Sequence, residues 1–231
     1  MTRHGVSWPL QLAAAVTVVV VLLVGIWVSG GLITNDFGLA MALTAMWMAV
    51  AGALCLAIAW RRPGLRVPVI VAYLLTAIVA GAYLGRSTLV DDEVSERVVR
   101  AAPPAADNAE SGRPRNVLLG RGSFEAVAHP AEGTASTIRT SGGARVLTLT
   151  NFGVDNGPDL RVYLVAGPAR DESEVDDFKD LGALKGNKGD QQYDLPGALD
   201  LSRYSTVVVW CRAFSVNFAR APLRHRLGAL R

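Results

Sequence analysis

Cysteine is nearly missing from this sequence. Only Cys55 and Cys211 occur in 231 residues, too few for a disulfide framework, and no Cys-x-x-Cys-His run is present to attach haem covalently. Methionine does not occur after Met48. There is no Gly-x-Ser-x-Gly elbow, no zinc-ligand spacing and no phosphate loop. The usual sequence grounds for a serine hydrolase, a zinc enzyme or a P-loop nucleotidase are therefore lacking. Charge is missing too, but only locally. No Lys, Arg, Asp or Glu lies between Arg3 and Asp36, between Asp36 and Arg61, or between Arg66 and Arg86.

Each of those gaps holds an apolar run long enough for a membrane-spanning helix, which takes about 20 residues. The spans are expected at 10–28, 39–59 and 67–84, making 1–86 a membrane anchor with the lipid bilayer as its partner. None contains an acidic, basic or histidine side chain, which argues against an ion pathway or proton relay within the membrane. The second span carries Ala45, Ala49, Ala53 and Ala57 at four-residue spacing beside Gly52. Such a face lets helices approach closely, so it is a candidate for packing on another span or for helix–helix self-association.

Charge distribution sets the orientation. Residues 1–90 contain five arginines against Asp36, a balance of +4, whereas residues 91–231 hold 18 basic against 19 acidic side chains, a balance of −1. The formal net charge of +3 thus comes from the flanks of the apolar runs, and no basic stripe points to nucleic acid. Arg61, Arg62 and Arg66 crowd the loop between the second and third runs, while the first loop has only Asp36. By the positive-inside rule the arginine loop and the amino terminus are cytoplasmic. Everything after Arg86 is then expected outside the cytoplasm. The first run is long and followed by no Ala-x-Ala-like site, Ser29-Gly30-Gly31 being the nearest, so a retained anchor is expected rather than a cleaved signal peptide.

Residues 87–115 read as a linker. Their charged start could extend a helix, but Ala101-Ala102-Pro103-Pro104-Ala105-Ala106 and Ser111-Gly112-Arg113-Pro114 suit a semi-rigid stalk. From Asn116 the pattern changes to short strands, expected at 117–126, 135–140, 145–152, 160–166, 191–195, 206–214 and 216–219. They are divided by turn chemistry such as Ser141-Gly142-Gly143, Asn156-Gly157-Pro158-Asp159 and Gly186-Asn187-Lys188-Gly189. Several short strands so punctuated predict an all-β sandwich or barrel, and a sandwich over 116–223 is the expectation taken here. Residues 224–231 form a basic tail.

Ser205–Phe218 carries the one cysteine outside the apolar runs. Alternation puts Val207, Val209, Cys211 and Ala213 on one face and Val208, Trp210, Arg212 and Phe214 on the other. A lone thiol outside the cytoplasm has no disulfide partner within the chain. A reactive cysteine wants a nearby cation or a helix amino terminus. A cysteine between apolar neighbours can equally be a small buried hydrophobe.

Here a resemblance becomes specific. The ordered set includes Gly122-Ser123-Phe124, His129, Gly133, Asn151-Phe152, Asn156-Gly157-Pro158-Asp159-Leu160 and Leu184-Lys185-Gly186-Asn187. It continues through Gly189, Gln191, Tyr193, Leu195-Pro196, Trp210-Cys211, Phe214 and Phe218. Residues 116–223 thereby resemble the DM-thirteen domain, a family described as an electron-transfer domain of membrane and cell-surface proteins. The resemblance implies Cys211 as the redox centre, as a free thiol or as ligand to a prosthetic group such as haem. Axial haem ligands are commonly His, Cys, Met or Tyr, and His129 with Cys211 is the candidate pair built from the matching residues. No cofactor is required by the sequence, and a membrane redox partner or a surface protein is the implied associate. The acidic run Asp171, Glu172, Glu174, Asp176, Asp177 and Asp180 lacks the glycine and ligand spacing of a calcium loop and reads as a solvated loop, so no metal site is expected. Two functions follow: an extracytoplasmic redox module centred on Cys211, or a non-catalytic binding module in which Cys211 is structural.

Overall fold

The computed structural model describes residues 6–34, 37–102, 115–171 and 175–225. Asp36, the proline-rich part of the linker (103–114), Glu172, Glu174 and residues 226–231 of the basic tail lie outside them. The chain forms two compact units, residues 1–86 and 87–231.

The first unit consists of α1 (Trp8–Gly31), α2 (Phe37–Arg61) and most of α3 (Arg66–Leu89), with a 3₁₀ turn at Pro63–Leu65 between the last two. All three helices are long and apolar enough to cross a membrane. Their outward side chains are apolar: Leu12, Leu56 and Val79 are each more than half exposed. Helix–helix contact is made where side chains are small. At Gly25 on α1 a Cβ would lie 2.0 Å from the Trp47 indole of α2, so only glycine admits that ring. Ser29 Oγ and Thr44 Oγ1 are 3.2 Å apart across the same pair. Tyr73 on α3 donates to the Met48 carbonyl on α2 at 3.0 Å, giving a half-buried backbone acceptor a second donor. The buried stripe of α2 is Ala40, Thr44, Ala51, Cys55 and Ala59. Ala45, Ala49, Ala53 and Ala57 are exposed, whereas Gly52 beside them meets α3, where a Cβ would lie 2.7 Å from the Tyr73 hydroxyl.

The second unit is built on two β-sheets. Its strands are β1 (Glu93–Ser95), β2 (Val117–Ser123), β3 (Glu125–Ala126), β4 (Ala131–Arg139), β5 (Arg145–Val154), β6 (Leu160–Ala166), β7 (Phe178–Ala183), β8 (Lys188–Leu195), β9 (Tyr204–Cys211), β10 (Val216–Pro222) and β11 (Arg224–His225). One sheet has the order β1-β8-β5-β4-β2-β11, the other β3-β10-β9-β6-β7. All described pairings are antiparallel except β1 with β8. Ala135, Leu147 and Leu149 form a fully buried face of the first sheet, and Val162, Leu164, Val207 and Val209 one of the second. These apolar rows are the period-2 pattern of the sequence realised as core.

Three departures from the strand expectations have identifiable causes. The run 117–126 is not one strand: it breaks at Phe124, and β2 and β3 join different sheets. Strand β7 was not expected, because its Phe-Lys-Asp-Leu-Gly-Ala has little β-branched content. It is held at an edge by the Arg161–Asp180 ion pair at 2.8 Å and by Phe178 stacked on Tyr163 at 4.3 Å. The run 206–214 ends at Cys211, since Arg212–Ser215 form a turn in which Ser215 adopts φ 52°. Ser205–Phe218 is therefore a hairpin. Alternation fails beyond Cys211, where Ala213 is exposed and Phe214 buried.

The expected linker differs most. Its first part is docked on the β-unit: β1 runs parallel to Lys188–Asp190, and Glu96 N–H donates to Asp190 O at 2.9 Å. Gly189, at φ +95°, admits it, because a Cβ there would lie 2.0 Å from Val94 O. Asp91 accepts from Asn156 and Asn187 at 3.0 and 2.9 Å and pairs with Lys188. Glu96 pairs with Lys185 at 2.7 Å.

Candidate functional site

Cys211 closes β9, between β6 and β10, opposite Leu160 on one side and Val216 on the other. Its neighbours on the same face, Val207 and Val209, are fully buried, and Cys211 itself is 0% exposed. The strand's β-branched run makes this the centre of its sheet. Over the sulfur lies the turn that joins β5 to β6. Cys211 Sγ–H donates to the Pro158 carbonyl at 3.0 Å. Asp159, held at φ 59°, ties the turn to the hairpin: its carbonyl accepts from Arg212 N–H at 3.1 Å and its carboxylate from Arg212 Nε at 2.6 Å. Gly157 is needed beneath, because a Cβ there would come within 2.8 Å of the buried Phe218 ring. Asn156-Gly157-Pro158-Asp159 is thus a lid on the thiol as well as a turn. The turn is legible in the sequence, but its carbonyl as the partner of Cys211 is not, since 53 residues separate the two.

Electrostatics follow from that burial. Desolvation pushes the Cys211 thiol up to about 12, against a smaller opposing pull from the Phe214 and Ala213 backbone N–H groups. Among the described residues no cation stabilises a thiolate here: Arg212 is turned away to Asp159. The site holds a neutral thiol, whereas nucleophiles and metal-binding cysteines are thiolates.

His129 stands elsewhere. Its ring packs on Phe218 with centroids 4.0 Å apart, and Nδ1 lies 3.1 Å from Asp155 Oδ2. Its backbone N–H donates to the Phe218 carbonyl at 3.1 Å. Phe218, Gly157 and Pro158 form the chain of contacts that runs from His129 to Cys211. As arranged, the pair does not fit an iron porphyrin. An axial sulfur needs an open side, and the S–H of Cys211 is enclosed by its own sheet and the Pro158 carbonyl. Among the described residues no group of three or more His, Cys, Asp or Glu side chains could hold a metal ion. Two described members of the acidic run have structural partners: Asp177 pairs with Arg203 and accepts from Tyr204 at 2.9 Å, and Asp180 pairs with Arg161.

The motif residues Lys185, Gly186, Asn187, Gln191 and Tyr193 form a second constellation. Gln191 Oε1 and Tyr193 Oη both accept from the Lys185 N–H at 3.1 Å, and Gln191 Nε2 donates to Gly186 O at 2.8 Å. Burial raises the Tyr193 hydroxyl to about 12, keeping it a neutral member of this network. This constellation shapes the bend that receives residues 91–96 (Gly186 approaches Asp92 O so closely that a Cβ would be 2.4 Å away).

No curated protein and no solved structure matches the chain. Residues 123–223 match the family model described as Electron transfer DM13. The protein therefore carries a DM13 electron-transfer domain over residues 123–223, preceded by three apolar helices.

Proposed function

We propose that the protein presents its DM13 domain at the outer face of a membrane and serves electron transfer as a docking module for a redox partner, with Cys211 acting in the fold rather than as the carrier. The observation that carries this reading is the state of the sulfur: 0% exposed, bonded to Pro158 O, and held as a neutral thiol. In this reading the two sheets close face to face as a sandwich. The three helices span the bilayer with the Arg61–Arg66 loop in the cytoplasm. The exposed Ala45, Ala49, Ala53 and Ala57 face is free to pack on a second copy.

Two measurements test it. The full chain, purified in detergent from its native membrane, is scanned for visible absorption before and after reduction, and Cys211→Ala is assayed in the host. The expected variant keeps function and loses stability, and the purified protein shows no absorption band that depends on Cys211. Loss of function in a folded Cys211→Ala protein, or a chromophore that disappears with the sulfur, would overturn the reading in favour of a redox centre at Cys211. Orientation is checked by protease added to intact cells, which should digest the β-unit and spare the arginine loop.

A further inference from the structure

The outer face of the six-stranded sheet carries a polar row that neither the family match nor the Cys211 region explains. Strand register lines up Arg224, Arg121, Ser136, Thr148 and Gln192 across five strands. This is the face opposite the buried Ala135, Leu147 and Leu149. Residues 99–101 run along it, held by Val99 N–H donating to Gln192 Oε1 at 2.9 Å and by Asn116 Nδ2 donating to Arg100 O at 3.1 Å. Sheet and segment enclose a slot of about 350 Å³ whose polar lining includes Arg100, Arg121, Ser136, Thr150, Asn151 and Asp190. That volume is at the lower end of small-molecule sites.

The hydrogen-bonding capacity of this lining is largely unspent. Arg145, Arg161, Arg203, Arg212 and Arg220 each bond to a carboxylate or a carbonyl. Among the described residues, Arg100 and Arg121 make no side-chain bond or ion pair. Arg121 faces another arginine, Arg224, directly across the strand pair, an arrangement that costs stability unless an anion intervenes. Among the described residues the Ser136 hydroxyl makes no hydrogen bond, and that of Thr150 reaches only the Thr134 carbonyl at 3.5 Å, beyond the usual O–H···O range. Asp190 spends one oxygen on Asn151 N–H at 2.8 Å.

We propose that this slot binds a polyhydroxylated ligand bearing one oxyanion, the chemical class of an acidic saccharide unit. The guanidinium forks of Arg100 and Arg121 suit a carboxylate or sulfate. A bare inorganic anion would meet Asp190, whereas ligand hydroxyls can donate to Asp190 and exchange bonds with Ser136, Thr150 and Asn151. Two of the groups, Arg100 and Arg121, lie outside the matched residues 123–223, so the site belongs to this chain's own extension of the domain.

The test is titration calorimetry on the full chain in detergent at constant ionic strength, with glucuronate, glucose and acetate as probes. Glucuronate should bind, with glucose and acetate each weaker by about tenfold or more, as expected when one charge-assisted or several neutral bonds are lost. Arg121→Gln and Arg100→Gln should each weaken glucuronate by about tenfold or more, while Arg203→Gln, in the turn before β9, leaves it unchanged. Unchanged thermal melting of at least one of the two slot variants shows that the loss is one of binding. Absence of glucuronate binding to the wild type, acetate binding as tightly as glucuronate, or full binding by both folded slot variants overturns the proposal.

Discussion

If Cys211 is a sealed, neutral thiol, folding should suppress its reactivity by an amount that the structure sets. Its ionisation is displaced from 9.0 to about 12, so at pH 8 the thiolate fraction falls by about 1000-fold relative to the unfolded chain. A more basic thiolate is intrinsically more nucleophilic, which returns about 20-fold with a disulfide reagent. The net slowing is about 50-fold before any steric barrier, and enclosure by the Pro158 carbonyl adds to it. The assay follows reaction with an aromatic disulfide in a Cys55→Ala background, native against urea-unfolded. A native rate within tenfold of the unfolded rate would refute the argument. The same shift makes a pH prediction. The native state holds this proton more tightly than the unfolded state, so the neutral-thiol contribution is fully present below pH 9. It is lost as pH rises, by about 1.4 kcal/mol per unit and up to about 4 kcal/mol by pH 12. Cys211→Ala removes that dependence, and Tyr193, raised in both proteins, cancels in the comparison. At neutral pH the substitution should cost about 2–4 kcal/mol, from the lost sulfur and an unsatisfied Pro158 carbonyl.

Gly189→Ala should release residues 91–96, because φ +95° strains alanine by about 1–3 kcal/mol and its Cβ would strike Val94 O; trypsin should then cut at Arg97 and Arg100 while the sheets stay folded. Gly157→Ala should lower the melting point by driving a methyl group into Phe218, at a cost of about 1–3 kcal/mol. The Lys185 ammonium holds the Glu96 carboxyl below its ordinary value. Its contribution is therefore present above the usual glutamate range and lost as pH falls through the depressed value, so the protection factors of amides 96–102, corrected for the intrinsic slowing of exchange in acid, should fall there. Lys185→Met should weaken this exposed contact by less than about 1 kcal/mol, measured by the same exchange.

The sequence by itself determined the features that depend on a residue's own chemistry and its near neighbours. Three runs without charge are each long and apolar enough for a membrane-crossing helix. Val207, Val209 and Cys211 had to share a face, because strand geometry alternates every residue. It also left Cys55, within an apolar run, as the one other cysteine. What tertiary structure decided came from groups far apart in the chain. Nothing local distinguishes Pro158 O as the acceptor for Cys211, or marks Phe178–Ala183 as a strand when its support is Arg161 and Tyr163. The glycines at 186 and 189 read as turn residues. Their second role, clearing room for Asp92 and Val94, depends on a segment more than 90 residues away and turns part of an expected stalk into a sheet edge. The thiol's chemistry was decided the same way: desolvation is a property of everything packed around an atom, and that exists only once the chain has folded.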